Sequence, residues 1–323
     1  QGLPGYAPTR LVELPQLASE LGVARVVAKD ESTRLGLPAF KALGASWAIH
    51  RALAERNVDE PVVIVTATDG NHGRAVAKYA KAFGHSAKIF IPDGVSESAV
   101  QAIRDEGADV EVLGGSYDDV VAQAAAFAGR TGSLLVQDTA WDGYELVPSW
   151  IVQGYATLFA EADDQLGALP DVVFVPAGVG SLLQAALDHY RADVTETSVV
   201  SVEPEVASCM APSLAAGKPV TVDTGITIMA GLNCGTPSTL AWPAIKHGLD
   251  AAVSVSDADD LRAAWDLGAL DVHAGPCGAA GLAAARIALA DEATRAHLGV
   301  DEHSTVLLVV TEGSAANPLP ERS

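Results

Sequence analysis

The chain has 323 residues, enough to bury a large core and to fold as two lobes. Hydrophobic residues make up 49%, charged residues 19% and aromatics 5%, the profile of a compact α/β protein rather than of a disordered or coiled one. A formal net charge of −21, from 41 acidic against 20 basic side chains, repels phosphate backbones and anionic lipid, so neither a nucleic acid nor a membrane partner is expected.

Val23 to Ala28 is a short apolar run, and Lys41 to Asn57 carries Leu43, Trp47, Ile49 and Leu53 near helical spacing. Pro61 to Val65, Ala87 to Ile91, Val110 to Leu113 and Leu134 to Val136 read as buried strands. Helical patterns over Gly73 to Phe83, Ser98 to Glu106 and Tyr117 to Ala128 separate them. After Trp141 come a long helix over Val147 to Leu166, a strand over Val172 to Val175, a helix over Ser181 to Tyr190 and a strand over Val199 to Val202. Pro204 to Pro243, with several Gly and Pro, reads as irregular; helices over Asp257 to Leu267 and Ala279 to Ala290 and a strand over Thr305 to Val310 complete the chain. Strands alternating with helices imply right-handed crossovers and parallel sheets.

Cys209, Cys234 and Cys277 are odd in number, far apart and without a CxxC, so neither a disulfide framework nor a zinc site is indicated, no metal is expected, and the cytoplasm is the expected compartment. Gln1-Gly2-Leu3-Pro4-Gly5 lacks an apolar signal region, no stretch approaches bilayer-spanning length, and the lack of an initiator Met suggests a trimmed or partial start.

Two stretches carry the first chemical signal. Leu37-Pro38-Ala39-Phe40-Lys41 sets a lysine at a helix start beside an aromatic, where desolvation lowers its pKa and improves it as a nucleophile. Thr66-Ala67-Thr68-Asp69-Gly70-Asn71-His72-Gly73 is a tight turn after an apolar run, opening a helix whose backbone amides suit an anion. A lysine amine able to bond a carbonyl cofactor, together with an anion-binding turn, suggests pyridoxal phosphate chemistry over redox or hydrolysis. A lone lysine in a first helical turn can equally be a solvated charge.

Ala177-Gly178-Val179-Gly180-Ser181-Leu182 follows a strand and opens a helix. Packing alone accounts for two glycines. A dinucleotide site wants a third glycine where Leu183 stands, although Glu203 lies about 20 residues on as a ribose-binding acid would. A cofactor phosphate loop accounts for Gly178, Val179, Gly180 and Ser181 without that third glycine. Gln137 to Glu145 and Thr311-Glu312-Gly313-Ser314 each follow a strand, at the end where parallel sheets present their chemistry; an ordinary surface loop and a simple turn are the plainer readings. Cys277 reads as a small packed cysteine before a pocket thiol.

With these positions in view the chain resembles the fold-type-II, tryptophan synthase β-like pyridoxal phosphate enzymes, which include serine and threonine dehydratases, and within them the diaminopropionate ammonia-lyase group. The resemblance runs from Lys29-Asp30-Glu31-Ser32 to Thr311-Glu312-Gly313. It is carried by Ala39-Phe40-Lys41, by Ala67 to Arg74 and by Gln137-Asp138-Thr139-Ala140-Trp141. Asp69, where dehydratases typically have serine, is the discriminating residue. A two-lobed fold is implied, each lobe a mostly parallel twisted sheet flanked by helices, with a small lobe at 56–144 inserted into a large one from 1–55 and 145–323.

The resemblance also implies roles. Lys41, beside Phe40, forms the Schiff base and moves the α-proton; Asn71 meets the cofactor's phenolic oxygen; Gly178, Val179, Gly180 and Ser181 hold its phosphate; and Thr311 faces the pyridine nitrogen. The backbone of Thr68, Asp69, Gly70, Asn71 and His72 grips the substrate carboxylate. Asp69 is implied as the base for a D-substrate, opposite the lysine, and Asp69 with Asp138 would favour a cationic β-ammonium over a neutral hydroxyl, because unpaired buried carboxylates are costly. The expected reaction is elimination of ammonia from 2,3-diaminopropionate, D or L, giving pyruvate and a second ammonia, in a homodimer. The alternatives are a serine or threonine dehydratase or β-replacement enzyme, a non-catalytic pyridoxal phosphate carrier and, most remotely, a nicotinamide-dependent oxidoreductase.

Overall fold

The computed structural model describes residues 3, 5–57, 60–68, 70–193 and 196–320. The chain divides into two compact units, one from Gln1–Ala39 with Ala156–Ser323 and one from Phe40–Tyr155. The class is the expected α/β, with a mostly parallel sheet in each unit. Among the described residues no helix is long and apolar enough to cross a membrane.

The chain opens with β1 (Leu11–Glu13), α1 (Pro15–Leu21) and β2 (Arg25–Asp30). The loop after β2 is fixed by buried ions. Arg34 donates to Glu31 through Nε and Nη2, both at 2.7 Å, and to Glu161 through Nη1 and Nη2 at 2.7 and 2.6 Å. Lys29 Nζ lies 2.7 Å from Glu161, and Tyr6 donates its hydroxyl to it at 2.6 Å. Burial would push the Glu161 carboxyl up, but these donors outweigh it and hold it at about 2. Leu35 takes a left-handed φ of 54° in this pinned loop, just ahead of Phe40 and Lys41.

The second unit contains α2 (Lys41–Glu55), β3 (Val63–Ala67), α3 (Asn71–Ala82), β4 (Ser86–Pro92), α4 (Glu97–Asp105), β5 (Asp109–Leu113), α5 (Tyr117–Thr131) and β6 (Leu134–Leu135), and α6 (Leu146–Leu166) begins in it. Its four strands run in the order β5-β4-β3-β6, all parallel, with Val65 opposite Lys88 and Leu135. Val65, Ala67, Phe90, Val120, Val121 and Ala124 form its core. The half-exposed edge strand β5 carries Asp109 and Glu111, which pair with Lys88 at 2.9 and 2.8 Å; edge charges of this kind discourage pairing with another chain.

The first unit resumes with β7 (Val172–Pro176), α7 (Ser181–Tyr190), β8 (Ser198–Pro204), α8 (Met210–Ala216), α9 (Trp242–Gly248), β9 (Ala251–Val255), α10 (Asp257–Ala269), α11 (Pro276–Ala290), α12 (Glu292–His297) and β10 (Thr305–Val310). Its sheet order is β1-β2-β10-β7-β8-β9, with only β1 antiparallel. Every residue of β7 and β8 is buried, as a strand covered on both faces requires. The small residues of α11 let it lie close to the chain leaving β10: a Cβ on Gly278 would stand 2.4 Å from the Glu312 carbonyl oxygen.

The stretch read as irregular does contain regular pieces. It holds α8 and two 3₁₀ turns, at Glu205–Ala207 and Ala230–Leu232, that are too short to show a period in sequence. The helix starts fall into two sorts. Ser96, Ser116, Ser256 and Asp291 cap α4, α5, α10 and α12 with their side chains. Among the described residues α1, α2, α3, α7, α8, α9 and α11 begin with no side-chain cap, α2, α3 and α7 at Phe40, Gly70 and Gly180.

Candidate active site

Lys41 is the first residue of α2, and its amine donates to Asp138 Oδ2 at 2.7 Å. The same nitrogen lies 5.4 Å from the Phe40 ring centroid and 5.9 Å from that of Tyr155, and the two rings pack at 4.6 Å. Gly44, one turn on from Lys41, permits this: a Cβ there would stand 2.5 Å from Tyr155 Cε1. Tyr155 was missed in the sequence, where it is one aromatic among many apolar positions of a long helix. The Tyr155 hydroxyl is pushed up by burial, the Lys41 charge opposing.

Asp138 lies just beyond β6 and is buried. Its neighbour Gln137 fixes the segment, its Oε1 accepting from Ala67 N and the Thr66 hydroxyl, each at 2.9 Å, while Nε2 donates to the Tyr117 hydroxyl at 2.9 Å. Burial pushes the Asp138 carboxyl up, but the neighbouring His72 ring and the Lys41 ammonium with its hydrogen bond outweigh it and hold it well below the usual carboxylate range. A buried carboxylate that stays ionised beside an amine is suited to holding a cation or carrying a proton.

The turn between β3 and α3 is organised by Thr68, whose Oγ1 accepts from Gly70 N at 3.0 Å and from Gly73 N at 3.1 Å. These two amides are therefore turned back onto the chain. A Cβ on Gly73 would stand 2.1 Å from Thr68 Cγ2, so that glycine is dictated by the turn. Asn71 opens α3, and His72, buried, donates from Nε2 to Val136 O at 2.9 Å with Nδ1 3.8 Å from Asp138 Oδ2. Asp69 lies outside the described residues. The second unit thus gathers Phe40, Lys41, His72 and Asp138, with Thr68, Gly70 and Asn71 on the adjoining turn.

The first unit carries the remaining candidates. Gly178 follows β7 with no room for a side chain: a Cβ would stand 3.0 Å from Gly231 O and 3.1 Å from Cys234 Sγ. Gly180, at a φ of 100°, caps α7 and would meet Ile245 Cδ1 at 2.9 Å. Val179 O accepts from Ser238 N at 2.8 Å, and Ser181 starts the helix. No sequence spacing pointed to Gly231 or Cys234 as walls of this turn.

Thr311 directly follows β10 and is buried, yet its hydroxyl has no hydrogen-bond partner among the described residues. Next to it Glu312 accepts from Cys277 N at 3.3 Å and pairs with Ala39 as an antiparallel bridge. The Cys277 thiol is buried and pushed well up by burial and by Glu312, as a packed cysteine is. Glu203 does not present an acid to a ribose. Its buried carboxyl faces inward, accepts from Cys209 N at 2.8 Å and from Met210 N at 3.1 Å, and is pushed up to about 7 by burial. The dinucleotide reading loses its acidic residue.

Comparison with known proteins gives a consistent result. Residues 3–312 match the family described as pyridoxal-phosphate dependent enzyme. A diaminopropionate ammonia-lyase of Salmonella typhimurium is 39% identical over 284 residues, which span 79% of this chain and 70% of that protein. The crystal structure of diaminopropionate ammonia lyase from Escherichia coli in complex with an aminoacrylate-PLP azomethine reaction intermediate aligns with a TM-score of 0.89 at 36% identity, covering 97% of this chain and 86% of that one. The same enzyme in complex with D-serine aligns with a TM-score of 0.89 at 34% identity, over 97% and 86% of the two chains.

Each unit by itself carries groups of the kind such a cofactor needs. The second has a lysine amine at a helix start, paired with a buried carboxylate; the first has a glycine turn opening a 10-residue helix and a buried hydroxyl with no hydrogen-bond partner among the described residues.

Proposed function

This chain belongs to the pyridoxal-phosphate dependent enzyme family, with the fold-type-II architecture, and from that premise we propose that it eliminates ammonia from D- and L-2,3-diaminopropionate to give pyruvate and a second ammonia. The observation that carries the substrate choice is the buried, ionised Asp138 at 2.7 Å from Lys41 Nζ. A carboxylate kept charged beside the lysine suits a β-ammonium. A neutral β-hydroxyl would leave it uncompensated, which is costly in a buried site.

Pyridoxal phosphate, when bound, supplies the electron sink that makes loss of the Cα proton feasible. Lys41 would hold the cofactor through its aldehyde, and its amine would take the proton from Cα of the L-form; Asp69 is assigned the opposite face for the D-form. Asp138 binds the β-ammonium and orients it as a leaving group. The first-turn amides of α3, at Asn71 and His72, take the substrate carboxylate, with Thr68 and Gly70 shaping the turn. The Asn71 side chain would meet the phenolic oxygen, Phe40 flanks the lysine, and Gly178, Val179, Gly180 and Ser181 would hold the phosphate. Thr311 would face the pyridine nitrogen with a neutral hydroxyl, which would moderate the sink and favour elimination over transamination. We assign the enzyme to the cytoplasm as a homodimer, and its three cysteines outside any disulfide support a reducing compartment.

The test is keto-acid release from D- and L-2,3-diaminopropionate, L-serine and L-threonine, measured side by side. The two diamines are expected to turn over fastest. Faster release from L-serine or L-threonine would replace the proposal with a dehydratase.

A further inference from the structure

Three groups from separate elements of the second unit meet at one oxygen. Lys41 on α2 donates to Asp138 Oδ2 at 2.7 Å, and His72 on α3 brings Nδ1 to 3.8 Å from that same Oδ2. A carbonyl only accepts, so the bond from His72 to Val136 O fixes the ring proton on Nε2. Nδ1 therefore carries a lone pair and lies beside the carboxylate. It is shielded from water and without a hydrogen-bond partner among the described residues. Buried polar atoms are normally satisfied, and the reaction as assigned above uses only the backbone of His72.

We propose that His72 is the proton partner of Lys41: when the Lys41 ammonium gives up a proton, Nδ1 of His72 takes one up, with Asp138 as the bridge. The N–H bond at Nζ breaks with its electron pair left on nitrogen, Asp138 Oδ2 accepts that proton and passes it on, and a new N–H bond forms from the Nδ1 lone pair. The carboxylate is restored. Lysine must be neutral to attack an aldehyde or to accept a proton. Were its proton simply lost to solvent, Asp138 would be left buried without a counter-charge. Moving the proton to His72 keeps the trio's total charge unchanged. Nδ1 needs to close by about 1 Å to reach hydrogen-bond distance.

The charges acting on His72 are those of Lys41 on α2 and Asp138 beyond β6. Burial pushes the imidazole down, Asp138 draws it up, and the Lys41 cation pushes it down again. Removing the lysine charge takes away one depressing influence and leaves the raising one in place.

The inference rests on Lys41 being the residue that bonds the cofactor, but the ring can be read directly. Nitrogen-15 NMR of His72 in the full chain is the experiment, with wild type compared with Lys41→Met and with Lys41→Met/Asp138→Asn. Wild type without cofactor is expected to hold a neutral, Nε2-protonated ring. Lys41→Met should raise the ring's titration by at least about one pH unit, and adding Asp138→Asn should abolish that rise. A ring that stays neutral in Lys41→Met across roughly pH 5 to 8 overturns the relay, while hydride trapping of the cofactor on Lys41 would still stand. His72→Gln keeps a donor for Val136 O but has no basic nitrogen. It should lower kcat on L-2,3-diaminopropionate by about a hundredfold, move the acid limb of its pH profile and leave KM within about twofold; an unchanged kcat and profile would also refute the relay.

Discussion

Gly154 on α6 lies so close to Leu43 on α2 that a Cβ at Gly154 would stand 2.5 Å from the Leu43 carbonyl oxygen. With Gly44 pressed on Tyr155 from the other side, the two helices cross at a point that tolerates no side chain on either. The crossing lies within one turn of Lys41, whose amine meets Asp138 at 2.7 Å. Gly154→Ala is expected to cost about 2 kcal/mol in denaturant unfolding and to lower kcat. Gly129→Ala on α5, where a Cβ meets nothing within 4 Å, should instead stabilise by about 0.5–1 kcal/mol.

Asp138→Asn keeps the shape of the side chain and removes its charge. On the proposed assignment, kcat/KM for 2,3-diaminopropionate falls by roughly two orders of magnitude, whereas the residual rate on L-serine falls much less. Equal losses on both substrates would mean that Asp138 acts through Lys41 alone and does not bind the β-amine.

Thr311→Val replaces an orphaned buried hydroxyl with a methyl group of the same shape. Cofactor-free protein should become more stable by about 1 kcal/mol, since an unsatisfied polar atom has been removed. Pyridoxal phosphate affinity, measured by absorbance titration, should weaken at the same time. Opposite signs in the two measurements identify Thr311 as a cofactor ligand; a loss of stability in the cofactor-free chain would mark it as structural.

Asp260 on α10 is fully buried, with neither carboxyl oxygen hydrogen-bonded among the described residues. Burial first, and then the charges of Asp257 and Glu312, push its carboxyl from 3.8 up to about 8. Between those values the folded chain keeps a proton that the unfolded chain releases, so stability falls as pH rises through the window and levels off above it. Asp260→Asn removes this titration. Melting scans should show variant and wild type close together near pH 4 and the variant ahead at pH 8.5, a gap opening across the window. A gap independent of pH would contradict the assignment.

Most of the parallel strands were legible because strands buried on both faces are continuous apolar runs. Thr305–Val310 falls where it was expected, and Val172–Val175 is extended only by Pro176. Two strands were not legible. Leu11–Glu13 is three half-exposed residues, and Ala251–Val255 is a partly buried edge of small side chains. Neither has a pattern distinct from loop. The chemistry-bearing segments stood out because lysine, histidine, aspartate and paired glycines at strand ends are few. What they touch was hidden. Tyr155 reached Phe40 through a helix crossing, Gly231 and Cys234 reached Gly178 from an irregular stretch, and the Glu203 carboxyl turned inward onto Cys209 and Met210. Such contacts are set by tertiary packing and leave no local period.

The helix starts at Gly70 and Gly180, where the capping residue has no side chain, have a consequence beyond the site itself. Four helices, α4, α5, α10 and α12, cap their first turn with a serine or aspartate of their own. On the proposed assignment a bound small molecule would add hydrogen bonds at these two starts, so part of the bonding there would be lent by a guest. Any guest that binds only the folded state shifts the folding balance by mass action. On the proposed assignment the vitamin acts as scaffold as well as reagent, and a cell short of it would hold less of this protein, as well as protein that is less active.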